Sequence, residues 1–364
     1  DAELVQSTVS RSGSITTPPR EGDIRVFGQP PANQVAYDNW STTNGSAAPF
    51  AQVDLGLFGD SLHVIPGIRF EPLVTRASRA EPYNGIVPSR GIEQMDGALD
   101  PRLAVRWQAT KRLLLKAAIG IYHQPPFGED MSAQFGNPRL SLSRATHYLL
   151  GTNVQLSEPL TVEFTSFYSR MDDLTVRNPA SAPATGQALL GNGEGRAYGT
   201  QFMLRHNPIG RFFGWVSLSI IRSERLDPDS RRFRPFDFDQ TFVATLVGSY
   251  DLGKGFEVGA RARWSTGYPR TPVLDATYDS RSDIYQPRFG AINSSRIPNF
   301  YQIDARVAKR FKLGKASNLE LYLDVQNVSD HRNPEEVVYN YNYTKKTYIT
   351  GLPILPVLGG KLSW

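Results

Sequence analysis

The stretch FYQIDARVAKRF, from Phe300 to Phe311, decides the fold. Tyr301, Ile303, Ala305 and Val307 take one parity, and Gln302, Asp304, Arg306 and Ala308 take the other. Successive side chains of an extended backbone point to opposite faces, so this is a strand with one apolar and one polar face. The pattern repeats on either side. Leu319, Leu321, Leu323 and Val325 oppose Glu320, Tyr322, Asp324 and Gln326. Upstream, Phe256, Val258, Ala260, Ala262 and Trp264 oppose Glu257, Gly259, Arg261, Arg263 and Ser265. The segments from Phe242 to Tyr250 and from Leu103 to Trp107 alternate in the same way. Strands of soluble sheets run to about 5–6 residues. These last about 9–12, the length that crosses a bilayer at a tilt.

The connections carry a second regularity. Short turns fall at 59–60, 109–111, 157–159, 207–210, 253–255 and 313–317. Long polar stretches fall between them at 72–101, 124–144, 172–195, 223–240, 268–299 and 330–354. Strict alternation of short and long links is the layout of a membrane barrel with tight turns at one rim and long loops at the other. The chain therefore reads as all-β, a transmembrane antiparallel up-and-down β-barrel with about 14 strands. They are expected near 2–17, 49–58, 61–71, 102–109, 112–123, 145–156, 159–170, 196–206, 212–222, 241–252, 256–266, 300–311, 319–328 and 355–364. Both chain ends are expected at the short-turn rim. Residues 337–351 read as a hairpin projecting from the last long loop. Phe58, Trp107, Tyr122, Tyr148, Phe213, Trp215, Trp264, Phe300 and Phe311 read as aromatic belts at the two headgroup levels.

Composition removes the other classes. The 364 residues hold 40 Lys+Arg against 35 Asp+Glu, a net charge of +5, with 40% apolar and 21% charged residues. That is too apolar for a disordered chain and too little charged for a coiled coil. The 31 Gly and 26 Pro are spread along the chain and disfavour long helices. No run of about 18 apolar residues occurs, which excludes a spanning helix. With no Cys, disulfides, thiolate metal sites and Cys nucleophiles are impossible. The arginines are scattered, so no nucleic-acid surface is expected. His63, His123, His147, His206 and His331 are dispersed, and zinc-protease, nucleophile-elbow and phosphate-loop motifs are missing. The chain is not read as an enzyme, and no cofactor is expected.

Several short motifs narrow the class. LDVQNVSD (Leu323 to Asp330), followed by Asn333-Pro334-Glu335 and Tyr339-Asn340-Tyr341, resembles the approach to the last large loop of TonB-dependent outer-membrane receptor barrels. GRAYG (Gly195 to Gly199), FDFDQT (Phe236 to Thr241) and GYPRTP (Gly267 to Pro272) resemble that family's recurrent strand entrances. Together the matches cover most of 100–364. The resemblance implies a barrel of about 22 strands filled by an N-terminal plug. It also implies residence in the bacterial outer membrane and TonB-powered uptake of a scarce bulky solute such as a metal chelate (siderophore uptake), a vitamin or an oligomeric nutrient. At roughly 26 residues per strand, such a barrel needs roughly 570 residues besides the plug. No plug-like stretch or TonB-box-like segment is recognised in 1–364. Residues 1–364 are therefore expected to be the C-terminal barrel portion, with plug and remaining strands lying elsewhere. Two alternatives stay open: a passive porin-like channel made by a closed 14-stranded barrel, and a surface barrel that docks a partner protein.

Candidate site residues follow from parity and position. Arg261, Arg263, Arg306, Glu320 and Asp324 take the polar parity and are expected to face the lumen as solute or plug contacts. Tyr339, Tyr341 and Tyr343 are candidates for an extracellular aromatic platform for a solute or a partner lipoprotein. Asp275, Asp279 and Asp283 could contribute to a calcium site, although a solvated polar loop is the favoured reading. Gly359, Leu362 and Trp364 resemble the C-terminal signal read by the barrel assembly machinery. Expected partners are outer-membrane lipid, that machinery and, through a plug, TonB.

Overall fold

Period-two segments of this length can satisfy their backbone groups only by pairing with one another. In the computed structural model they do so as one antiparallel sheet of 17 strand segments. The structure describes residues 2–14, 35–82, 90–180, 183–227, 230–281, 283–314 and 317–364. The segments amount to 14 passes of the chain. They are β1 (Ala2–Ser14), β2 (Val35–Ala47, Phe50–Gln52 and Leu55–Leu57), β3 (Leu62–Ala77), β4 (Ile92–Thr110) and β5 (Leu113–Gln124). Then come β6 (Ser143–Gln155), β7 (Leu160–Arg177), β8 (Leu189–Ile209), β9 (Phe212–Leu226) and β10 (Phe242–Gly253). The last are β11 (Phe256–Ser265), β12 (Phe300–Lys312), β13 (Asn318–Gln326) and β14 (Leu355–Ser363). Each strand pairs with its neighbour in sequence, and Phe233–Pro235 adds a short ladder to the end of β9.

The strand number and the alternation of turn lengths agree with the sequence reading, but the bounds differ systematically at the loop rim. The pass expected at 49–58 begins at Val35, β4 at Ile92 rather than 102, and β8 at Leu189 rather than 196. In barrels of this architecture an outward side chain near the loop rim stands beyond the apolar band and meets water. The apolar half of the alternation therefore lapses at Arg76, Glu93, Arg170 and Arg196 while the backbone ladder continues. Residues 15–17 of the first expected strand lie outside the described residues. Its start agrees at Ala2, but the expected place of that end at the short-turn rim is corrected: Ala2 pairs with Ala47, ten residues short of the turn-rim end of β2 at Leu57.

The two faces are chemically opposite. Leu246 (52%), Leu150 (66%) and Phe164 (41%) stand exposed on the outer face, where a soluble sheet would have buried them under a second layer. Arg261, Asp304, Arg306 and Asp324 take the inner face. Of the expected belt aromatics, Trp107, Tyr148, Trp264 and Phe311 are on the outer face. Trp215 and Phe300 instead line an inner cavity: Trp215 lies level with the inward Arg261, and Phe300 shares the inward parity of Gln302, which lies opposite Arg263.

A small buried core sits on the inner face near the loop rim. The β5–β6 connection, expected to be a polar outer loop, tucks inward and buries Met131, Phe135 and Leu140 against Trp40 and Leu189. Ser132 donates to the buried Asp38 at 2.6 Å, which also accepts from Arg79 at 3.1 Å. Trp40 Nε1 donates to the Gly128 carbonyl at 2.8 Å, and Arg11 lies 4.4 Å over the Phe135 ring.

The sheet does not close among the described residues. β1 carries a ladder only to β2, and β14 only to β13. Outward Leu358 (83%) beside this edge and Phe58 (82%) at the end of β2 are correspondingly exposed.

Candidate functional site

The inner wall of β10 to β14 gathers all five lumenal candidates. Arg261 faces Asp304 across the β11–β12 ladder, and Arg306 faces Asp324 across β12–β13. Arg306 donates to Asp324 at 3.0 Å and to Glu320 at 2.9 Å, while Arg310 donates to Glu320 at 3.1 Å. Lys361 of β14 lies opposite Glu320. The acids of this wall are thus covered by guanidinium groups. Arg263 differs: it is exposed, makes no ion pair among the described residues, and lies 5.3 Å over the Phe300 ring. Arg261 lines two adjoining cavities of about 390 Å³ each. One reaches down past Asp304 and Arg306. The other, bounded by Trp215, Arg263 and Phe300, lies toward the loop rim.

Sequence reasoning missed Asp304, which joins this wall to the last outer loop. Its Oδ1 accepts the Asn327 backbone N–H at 2.9 Å. The Asn327 side chain donates to the His331 and Leu352 carbonyls at 2.9 and 3.1 Å, so it ties together both ends of the 327–354 connection. Asn327 adopts φ 52°, a left-handed conformation that Asn tolerates better than most side chains. The signal was present in LDVQNVSD, but its physical role appears only when the strands pair.

Two other quoted motifs meet in space. Arg296 pairs with the buried Asp239 of FDFDQT and also donates to the Gly267 carbonyl of GYPRTP at 2.9 Å. A Cβ on Gly267 would stand 1.8 Å from the Ile297 carbonyl oxygen, so only glycine permits this close approach. Phe238 and Tyr268 complete the contact edge to face, 6.0 Å apart.

Above this knot stand two loop hairpins, Val273–Asp279 with Ile284–Phe289, and Pro334–Tyr339 with Lys346–Thr350. The second is the hairpin read from the sequence at 337–351. Arg270 clamps Glu336 through two hydrogen bonds of 2.7 and 2.9 Å. The three candidate tyrosines do not form one platform. Tyr343 is buried and packs 5.9 Å from Tyr339, whose hydroxyl accepts from the Val273 N–H. Tyr341 alone is exposed; it reaches the other hairpin, meeting Tyr285 edge to face at 5.4 Å and donating to the Asp283 carbonyl. The three aspartates are spent within their hairpin. Asp275 pairs with Arg288, Asp279 accepts from the Arg281 N–H, and Asp283 accepts the Tyr278 hydroxyl. Hydrogen bonding from Arg288 holds the Asp275 carboxyl below its usual range, and the bond to Asp283 raises the Tyr278 phenol. Among the described residues no group of acids and histidines is arranged to hold a metal.

At the chain's end, Leu362 takes the outward parity, and Trp364, one residue beyond the ladder, is 88% exposed. Gly359 takes the inward parity opposite Tyr322, where a Cβ would stand 2.3 Å from the ring.

An antiparallel wall with an apolar exterior, a charged interior and elaborate loops on one rim defines the class: an outer-membrane-type β-barrel. The family described as TonB dependent receptor-like, beta-barrel matches residues 10–328, and the chain belongs to it. Among curated proteins none matches. The ferric-catecholate import receptor Fiu from E. coli K12, in its closed form, superposes with a TM-score of 0.65 at 14% identity, over 100% of this chain and 51% of that one. The siderophore receptor PiuA from Acinetobacter baumannii gives 0.63 at 14%, over 90% and 45%. The ferric yersiniabactin uptake receptor FyuA from Yersinia pestis gives 0.62 at 15%, over 90% and 48%. At these identities the likeness is one of fold, and the chain spans about half the length of each receptor. Family and neighbours are receptors and transporters rather than enzymes.

Proposed function

We propose that this chain is the C-terminal wall of a bacterial outer-membrane transporter that takes up a scarce bulky solute with energy delivered by TonB. The observation that carries the reading is the pair of open edges on a sheet that is apolar outside and charged inside. Unpaired backbone groups cannot face lipid, so further strands must complete the wall. The same edges weigh against a passive channel closed from 14 strands. In this reading a plug outside the chain fills the lumen, transmits the TonB signal and rests on the inner wall of Arg261, Arg263, Arg306, Glu320 and Asp324. The solute is captured at the loop rim, where Tyr341 is presented. A metal chelate is favoured, since the neighbours' names are those of ferric-chelate receptors. Leu362 and Trp364 serve recognition by the assembly machinery, and deleting Trp364 is expected to lower the amount of protein in the outer membrane. Unchanged levels would remove that role.

Growth on single ferric chelates as iron source tests the transport reading, in cells carrying the full receptor with or without functional TonB. Growth that needs both receptor and TonB is expected for at least one chelate. Receptor-dependent growth that persists without TonB would point to passive passage and overturn the proposal.

A further inference from the structure

The outer face of β6 to β9 changes character abruptly toward the loop rim. Its lower rungs are largely apolar: Phe164, Phe202 and Leu218 lie side by side, and one rung above them Leu150 and Ile220 flank Ser166 and Thr200. The next rung is aromatic. Tyr148, Tyr168 and Tyr198 stand in a row with ring centroids 6.2 and 6.4 Å apart, which marks the headgroup level of the membrane reading proposed above. Arg222 ends that row, opposite Tyr198. One rung above it Arg170 lies opposite Arg196, and one rung higher Arg144 lies opposite Asp172.

Two acids organise these four arginines. Asp172 accepts from Arg144 at 3.2 Å and from Arg170 Nε at 3.0 Å. Glu224 accepts from Arg196 Nε at 2.7 Å and from Arg222 Nε at 3.2 Å. Both acid side chains are largely covered, at 12% and 9% exposure, while the arginine side chains stand 34–60% exposed. Neighbouring Glu194 is engaged by Arg231 at 3.8 Å, so the row keeps a surplus of positive charge. Arg170, Arg196 and Arg222 spend Nε–H on the acids, and their terminal NH2 groups make no further hydrogen bond to the described residues. Donors held in a fixed fork, in excess of their acids and just above an aromatic belt, match the oxygens of a phosphate.

We propose that this outward arginine row is a binding site for the phosphorylated headgroup of an outer-leaflet lipid. It lies on the opposite face of the wall from the transport path, and Asp172 and Glu224 act as positioning residues for it. The inference rests on the membrane reading but fails separately from it.

The test uses the full receptor purified in detergent, titrated with diphosphoryl lipid A and followed by native mass spectrometry. Dephosphorylated lipid A and inorganic phosphate are run in parallel. Wild type is expected to retain diphosphoryl lipid A. Arg170→Gln/Arg222→Gln should weaken retention by about ten-fold or more, the scale of losing charge-assisted hydrogen bonds. Arg170→Lys/Arg222→Lys should keep most of it, and Arg76→Gln, an outward charge elsewhere, should change nothing. Equal retention by the folded Gln variant, or of the dephosphorylated lipid, overturns the proposal. Displacement by equimolar inorganic phosphate would make the row a free-phosphate site and overturns it as well. Flotation with phospholipid vesicles separates the two readings: a wild type that floats but does not prefer the phosphorylated lipid sinks only this inference, whereas one that does not float sinks the membrane reading.

Discussion

Arg261 donates twice to one oxygen of Asp304, through Nε at 2.9 Å and Nη2 at 2.6 Å, while the other oxygen holds the backbone of Asn327 at 2.9 Å. A single carboxylate therefore anchors the lumenal wall and the base of the last outer loop. Asp304→Leu removes the acceptor from both. The expected cost is about 1–3 kcal/mol, the price of an unsatisfied polar group. Hydrogen exchange should quicken at 327–333 and stay unchanged in β6 to β8. Unaltered protection at 327–333 would break the proposed link.

The two faces of β10 offer a direct test of orientation. Leu246 points outward, and Thr245 lies level with the inward Arg263. Leu246→Arg should cost about 2–4 kcal/mol in a bilayer, whereas Thr245→Arg should cost well under half of that. Urea-induced unfolding from vesicles measures both. Equal penalties would contradict the assignment of faces.

Gly359 is explained by Tyr322, whose ring occupies the space of a Cβ and is itself covered by Arg306 at 4.0 Å. Gly359→Ala should push the ring aside at a cost of about 1–3 kcal/mol. Adding Tyr322→Ser should recover most of that. Heat-modifiable gel mobility reports the folded fraction, and failure of the second substitution to rescue would assign Gly359 a different role.

Asp275 gives a pH signature in the loop hairpin. Arg288 depresses its carboxyl in the folded state, so the pair's contribution is fully present above the ordinary value of about 3.9. It is lost as pH falls through the lower folded value. Exchange rates of 273–289, corrected for intrinsic pH dependence, should rise in strong acid for the native hairpin. Asp275→Asn should show raised exchange at neutral pH and no such step. A step that survives in the variant would have another origin.

What was legible followed the apolar outer face. Where the outer face is apolar, as along Phe256 to Trp264, the alternation is strict, and β11 was placed to within a residue. The strand extensions at Arg76, Glu93 and Arg196 escaped because water tolerates any side chain there. The inward tuck of Met131, Phe135 and Leu140 also escaped, since a short apolar cluster in a long connection does not reveal which surface buries it. Tyr339, Tyr341 and Tyr343 share a parity, but the hairpin turn places Tyr343 in the left-handed region at φ 59° and separates it from Tyr341.

The order of letters alone established an antiparallel wall, its pass number, its two faces and the parity of Arg261, Arg306 and Asp324, because each depends only on the period of a strand. Folding in three dimensions decided which charges meet, that Asn327 is held by Asp304, that Asp239 waits for Arg296, and that β1 and β14 end as open edges among the described residues. Those depend on register and on contacts between segments far apart in the chain, which no local pattern encodes.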